Sequence, residues 1–117
     1  MTEVLRRTFD QSDLDAFGAV SGGDGRIHTD PDYAAGTRYG RTLVQGMLLV
    51  ALMERAVGIA LPGRRLDARL DITFVAPVHT GVEIRINVAE KGDRPRFDAV
   101  TDTGVVMTAT LDPTGQG

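Results

Sequence analysis

The run TLVQGMLLVALMERAVGIALPG, residues 42–63, constrains this chain more than any other stretch. From Leu43 to Met53 it is apolar on nearly every face rather than along one stripe. A helix of that kind must be enclosed, by a protein core or by a membrane. Gln45 near its start and Glu54-Arg55 in its middle argue against a span, which needs about 20 mostly apolar residues. The pattern therefore predicts one helix over 42–63, ended by Pro62-Gly63 and wrapped by other elements.

The wrapping material follows directly. Leu66, Ala68, Leu70, Ile72 and Phe74 recur at two-residue spacing within 66–78, and Val82, Ile84, Ile86 and Val88 repeat the pattern within 82–90. Such alternation is that of half-buried strands. Residues 97–101 and 105–111 give two more around a Thr103-Gly104 turn, with Gly81 and Lys91-Gly92-Asp93 at the other turns. Short connections between successive strands make the sheet largely antiparallel. Upstream, residues 4–9 read as an edge strand and Asp10-Gln11-Ser12-Asp13 as a helix cap. Leu14, Phe17 and Val20 then supply the apolar face of a short helix that Gly22, Gly23 and Gly25 stop. Asp30-Pro31 opens a further helical turn carrying Tyr33, Ala34 and Ala35. The expected fold is α+β: a single hot-dog domain over residues 1–117, a curved antiparallel sheet wrapped around one long buried helix. No repeat, linker or second domain is visible.

Composition removes several classes of function. The 117 residues suffice for one core, and 42% hydrophobic with 25% charged is ordinary for a globular protein. A net charge of −3 without a basic block argues against nucleic acid as a partner. Of the 13 basic residues only Lys91 is lysine, which reads as a compositional bias. The absence of cysteine excludes disulfides, thiolate metal sites and a cysteine nucleophile. Thr2-Glu3-Val4-Leu5-Arg6-Arg7 after Met1 lacks the apolar stretch of a signal peptide, so the cytoplasm is the expected compartment.

Candidate chemistry concentrates in SGGDGRIHTDPDYA, residues 21–34. His79, between two strands, reads as a solvated turn residue. His28 instead lies among Asp24, Asp30 and Asp32, upstream of a helix whose N-terminal backbone can polarise a carbonyl. The spacing fits no compact metal-ligand pattern, so no metal is expected. Ser21-Gly22-Gly23 is too short and misplaced for a phosphate loop or a nucleophile elbow. Ser21 reads as a helix-ending or turn residue, and Tyr33 and Tyr39 as packing residues.

Ser21-Gly22, Ile27-His28-Thr29-Asp30, Ala34, Tyr39 and Val44-Gln45-Gly46-Met47-Leu48 together resemble the MaoC-like (R)-specific enoyl-CoA hydratases and dehydratases. Leu61-Pro62-Gly63, Phe74-Val75-Ala76-Pro77-Val78 and Gly81 continue the likeness over nearly the whole chain, and the interval from His28 to Gly46 matches without a gap. The resemblance implies an acyl thioester lying along the central helix, with the Gly46 amide meeting the thioester oxygen. It implies His28 as the acid–base group, with Ser21, Tyr39, Gln45 and Met47 at the substrate. It also implies acyl-CoA or an acyl carrier protein as the partner and no cofactor; a homodimer, its sheets joined edge to edge, is expected because a lone curved sheet leaves an exposed edge.

The departures fall on the loop. The family pattern is Ser-Gly-Asp, any residue, Asn-Pro, then Ile or Leu before His. Here Gly23 holds the Asp position, Asp24 stands one residue late, Gly25-Arg26 replaces Asn-Pro, and Gln45 replaces a histidine before the helix glycine. Asp24 is the expected substitute carboxylate, with Arg26 in a position to pair with it. Three functions follow from this pattern: hydration or dehydration of an acyl thioester, another acyl-thioester reaction (conjugate addition, isomerisation or hydrolysis), or a non-catalytic acyl-binding subunit.

Overall fold

The computed structural model describes residues 1–64, 68–89 and 94–112. Leu66 and the Lys91-Gly92-Asp93 turn lie outside the described residues. Five strands form one sheet: β1 (Thr2–Thr8), β2 (Arg69–Phe74), β3 (Glu83–Ala89), β4 (Arg96–Thr101) and β5 (Gly104–Asp112). Their order is β1-β3-β4-β5-β2, and every pairing is antiparallel. The expected edge strand is present as β1, and β2 forms the other edge. Two-residue alternation works as predicted in the middle of the sheet, where Ile84, Ile86, Val88, Phe97 and Ala99 are buried on one face. It weakens at the β2 edge, where Leu70 and Ile72 are only half-buried and Phe74 is 52% exposed.

Four helices precede β2. α1 (Gln11–Ser21) begins with the expected cap: the Asp10 carboxylate accepts from the Asp13 N–H, and the Asp13 carboxylate accepts from the Asp10 N–H. These reciprocal bonds satisfy two helix-end donors. Gly22 ends the helix in the left-handed region, φ 79°, where glycine carries no steric penalty. The predicted apolar face needs correction, because Val20 is 84% exposed while Gly18 is buried. A methyl group on Gly18 would stand 3.1 Å from the Gly23 carbonyl oxygen and 3.3 Å from the Asp24 Cα. Gly18 is therefore the contact that lets the 22–25 loop fold back against α1.

A short helical turn, α2 (Arg26–Thr29), occupies a region that carries no helix signal of its own in the sequence. α3 (Pro31–Ala35) starts as predicted, with Pro31 in the first turn and the Asp30 side chain accepting from the Tyr33 N–H.

The long helix, α4 (Gly46–Ala60), starts four residues later than its apolar run. Residues 42–45 are diverted because their backbone groups are already paired. The Val44 N–H donates to the Val78 carbonyl, the Thr80 N–H to the Thr42 carbonyl, and Leu43 bridges His79. His79 is accordingly half-buried in a β-bridge rather than a solvated turn residue. Leu49, Leu52, Met53, Ala56 and Val57 bury against the sheet. The helix is not enclosed on all sides within one chain, since Met47, Ala51, Arg55, Gly58 and Ile59 remain exposed. The architecture is the expected hot-dog: one principal helix held in the concave face of an antiparallel sheet, with the N-terminus of α4 near α2.

Candidate active site

His28 sits in α2, whose first turn is closed by His28 and Thr29 N–H groups donating to the Gly25 carbonyl. Thr29 Oγ1 also donates to the Asp24 and Gly25 carbonyls at 3.0 and 3.1 Å. This turn is clasped to the extended 42–45 segment through Leu43. The Leu43 N–H donates to the Ile27 carbonyl at 3.0 Å, and the His28 Nδ1–H donates to the Leu43 carbonyl at 2.7 Å. A carbonyl oxygen can only accept, so Nδ1 carries the proton and Nε2 of the neutral ring keeps its lone pair. The ring is thus held in one tautomer, with its basic nitrogen turned away from the clasp.

A cleft of about 320 Å³ opens beside it, lined by His28, Leu43, Gly46, Leu49, Phe74 and the Val75–Val78 run. Apart from the imidazole, the side chains on this lining are apolar. Gly46 is the first residue of α4, and among the described residues no acceptor meets its N–H. The first amides of a helix also carry the positive end of its dipole, roughly half a charge. Nothing crowds Gly46: a Cβ there would meet only the Phe74 ring, at 3.6 and 3.8 Å. An apolar cleft with one imidazole and one open helix-end amide can hold an acyl chain, polarise its carbonyl and move a proton next to it.

Of the residues singled out in the sequence, this cleft brings together His28 and Gly46. Asp24 does not line it. Its side chain is exposed, its Cβ lies against Gly18, and among the described residues its carboxylate has no hydrogen bond or ion pair. The expected Arg26–Asp24 pairing is not formed. Arg26 pairs with Asp30 at 3.3 Å and lies over the Tyr33 ring, 4.4 Å from its centroid. Asp30 caps α3, and the Tyr33 N–H together with the Arg26 guanidinium holds its carboxyl below the usual aspartate value. Tyr33 is exposed beneath Arg26 rather than packed in the core.

Ser21 ends α1: its Oγ donates to the Phe17 carbonyl at 2.6 Å and accepts from the Gly23 N–H at 3.1 Å. Tyr39 is half-buried and its hydroxyl accepts from Arg38. Met47 is exposed one residue beyond Gly46. Gln45 is 3% exposed, and its Nε2 donates to the Leu14 carbonyl at 2.8 Å and to the Gly23 carbonyl at 3.0 Å. Gln45 thereby ties α1, the glycine loop and the start of α4 together. The Gln45 Oε1 is buried and has no partner among the described residues. Among the described residues no group of His, Asp and Glu has the arrangement of a metal site, and no helix is long and apolar enough to cross a membrane.

Sequence reasoning missed two features of this site. The Phe74–Val78 run reads as a strand and its end, but it forms one wall of the cleft. An apolar run continuing past the period of its strand was the available signal. Gln11, which donates to the His28 carbonyl, and Thr42, which donates to Gln11, gave no signal, because nothing local pairs residues so far apart in the chain.

Comparison with known proteins agrees with this fold. Over 93 residues the chain is 31% identical to a 3-hydroxybutyryl-CoA dehydratase of Methylorubrum extorquens, covering 77% of this chain and 59% of the relative. It is 34% identical over 95 residues to an (R)-specific enoyl-CoA hydratase of Aeromonas caviae, covering 78% and 71%. The chain thus spans less than two thirds of the first relative's length. The solved (R)-hydratase of A. caviae, described as involved in PHA biosynthesis, superposes with a TM-score of 0.76 at 29% identity, covering 92% of this chain and 88% of that one. The MaoC-like domain model matches residues 2–110, a span that takes in β1, the His28 turn, the α4 N-terminus and nearly all of β5, and the chain belongs to that family.

Proposed function

We propose that the chain is a hydratase or dehydratase of enoyl and 3-hydroxyacyl thioesters, carried on coenzyme A or on an acyl carrier protein. The observation that carries this reading is the shared cleft of His28 and Gly46. In the hydration direction, water adds across the bond between C2 and C3. Its oxygen bonds to C3, one of its protons is taken up by His28 Nε2, and the electron pair of the double bond moves toward the thioester oxygen. The Gly46 N–H and the α4 dipole stabilise that developing enolate, and return of the proton from His28 Nε2 to C2 completes the product and frees the ring nitrogen. Dehydration is the same path reversed. Crotonyl-CoA hydration by the purified chain tests the reading, and no detectable hydration of short enoyl thioesters would overturn it.

One observation favours a second reading. Asp24 is exposed and outside the cleft, and Gly23 has no side chain, so His28 works without a carboxylate from this loop. Such a site suits slow hydration or a different acyl-thioester reaction. Replacing Gly23→Asp together with Asp24→Gly separates the two. A Cβ at Gly23 would stand 3.2 Å from Ser21 Oγ, a group that can turn aside, and 3.4 Å from Gln45 Cγ, so a side chain fits with a small adjustment. The double variant is expected to hydrate crotonyl-CoA faster than the parent, by about tenfold or more, since a positioned acid–base group contributes at least that. A folded double variant that binds acyl-CoA and hydrates no faster means the missing carboxylate is not what limits the reaction.

Homodimerisation belongs to the same reading. β2 presents an unpaired edge, and Met47, Phe74 and Val75 are exposed beside the cleft mouth. An open strand edge next to apolar surface is normally covered. Light scattering should give a mass near twice the 12.5 kDa of one chain. A stable monomer at micromolar concentration would refute it.

A further inference from the structure

We infer that Gln11 and Thr42 form a hydrogen-bond relay that positions His28 and fixes its tautomer; this rests on the assignment of His28 to the reaction. Gln11 opens α1, and its Nε2 donates to the His28 main-chain carbonyl at 2.8 Å and to Asp15 Oδ1 at 3.0 Å. Its Oε1 accepts from Thr42 Oγ1 at 2.7 Å. Thr42, which is buried, has only one hydroxyl proton, and Gln11 Oε1 takes it. Thr80, beside it, also has one hydroxyl proton and donates it to the Thr42 carbonyl at 2.6 Å. The Thr42 and Gln11 donors point the same way, toward His28.

This arrangement leaves no freedom in the amide. One end of Gln11 faces a hydroxyl donor, the other faces two acceptors, so only one orientation satisfies all of them. Besides its own turn bond to Gly25 and the Leu43 N–H bond to Ile27, two anchors hold His28: its carbonyl to Gln11 on α1, and its Nδ1–H to the Leu43 carbonyl. Thr42 precedes Leu43 directly, so the relay and the clasp share one short segment. Loosening the first anchor lets α2 shift against that segment, and the Nδ1–H to Leu43 bond is lost with the alignment. Gln11 and Thr42 are positioning residues; neither lines the cleft.

The test uses Thr42→Val, which keeps the shape and removes the donor, Thr42→Ser, which keeps the donor, and Gln11→Glu, which keeps the acceptor and removes both amide donors. Thr42→Val and Gln11→Glu should lower kcat for crotonyl-CoA hydration about 10- to 100-fold with KM little changed, because small misplacements of a reacting group cost that much. Thr42→Ser should restore the parent kcat. Nitrogen-15 spectra of the neutral imidazole should show His28 protonated at Nδ1 in the parent and in Thr42→Ser, and a tautomer mixture in Thr42→Val and Gln11→Glu. Folded Thr42→Val that keeps both the parent tautomer and the parent kcat overturns the relay, and the valine–serine pair decides the matter even where Gln11→Glu does not fold. If the parent hydrates nothing, the hydratase reading fails, while the tautomers still decide whether the relay holds His28.

Discussion

Replacing His28 with alanine is expected to slow hydration by about 10²- to 10⁴-fold, the range a positioned general acid–base group supplies, while acyl-CoA still binds. The separation follows from where the binding groups sit. The apolar wall at Phe74–Val78 and the Gly46 amide are untouched by the change, and neither depends on the imidazole. The fold should also persist, because His28 is half-buried and the bonds of α2 to Gly25 and to Gln11 are made by main-chain atoms. What disappears is one hydrogen bond to the Leu43 carbonyl, worth about 1 kcal/mol, and the Nε2 lone pair. His28→Asn distinguishes these two losses. Asparagine offers an N–H toward Leu43 but no basic nitrogen, so it should be as slow as alanine. An asparagine variant with parental kcat would make the ring a structural clasp and remove His28 from the chemistry.

The sequence showed the scaffold more clearly than the site, for reasons that particular residues display. Burial on one face of a sheet imposes a two-residue period, so Ile84, Ile86 and Val88 announced β3, and a side-chain cap announced α1 through Asp10 and Asp13. Helix α4 was legible as an apolar run, but its start was not. Thr42 and Val44 run without a break into the apolar stretch, and the long-range pairing of this segment with residues 78–80 turns it into extended chain. Val20 failed for a related reason: helical spacing cannot reveal that a glycine, Gly18, marks the tightly packed face of α1. At the site, His28 and Gly46 were identifiable because a resemblance in order and spacing named them. Asp24 and Arg26 were paired by proximity in sequence, whereas α2 turns Arg26 toward Asp30, four residues ahead on the same helical face. Side-chain direction in a glycine loop is set by backbone angles, which residue identity alone does not specify.

Gly46→Val carries the other large effect, on binding as well as rate. At this position a single methyl group would touch the Phe74 ring at ordinary contact distance, 3.6 Å, so the backbone itself tolerates a side chain. Valine adds two further methyl groups at the first turn of α4, where they must share the cleft mouth with Phe74 and cover the open amide. Helix stability is not the victim, because valine has a slightly better helix propensity than glycine. The loss should therefore appear in ligand binding and turnover while thermal unfolding stays close to that of the parent. Removing a single donor to a developing oxyanion typically lowers kcat about 10²- to 10³-fold, and the blocked mouth should weaken acyl-CoA affinity as well. Gly46→Ala, with only the tolerated methyl, should fall between the two. Calorimetry is the deciding measurement, since it reads binding without requiring turnover. A Gly46→Val protein that is folded and binds acyl-CoA as tightly as the parent would move the thioester away from the α4 N-terminus, leaving His28 without a carbonyl to work beside.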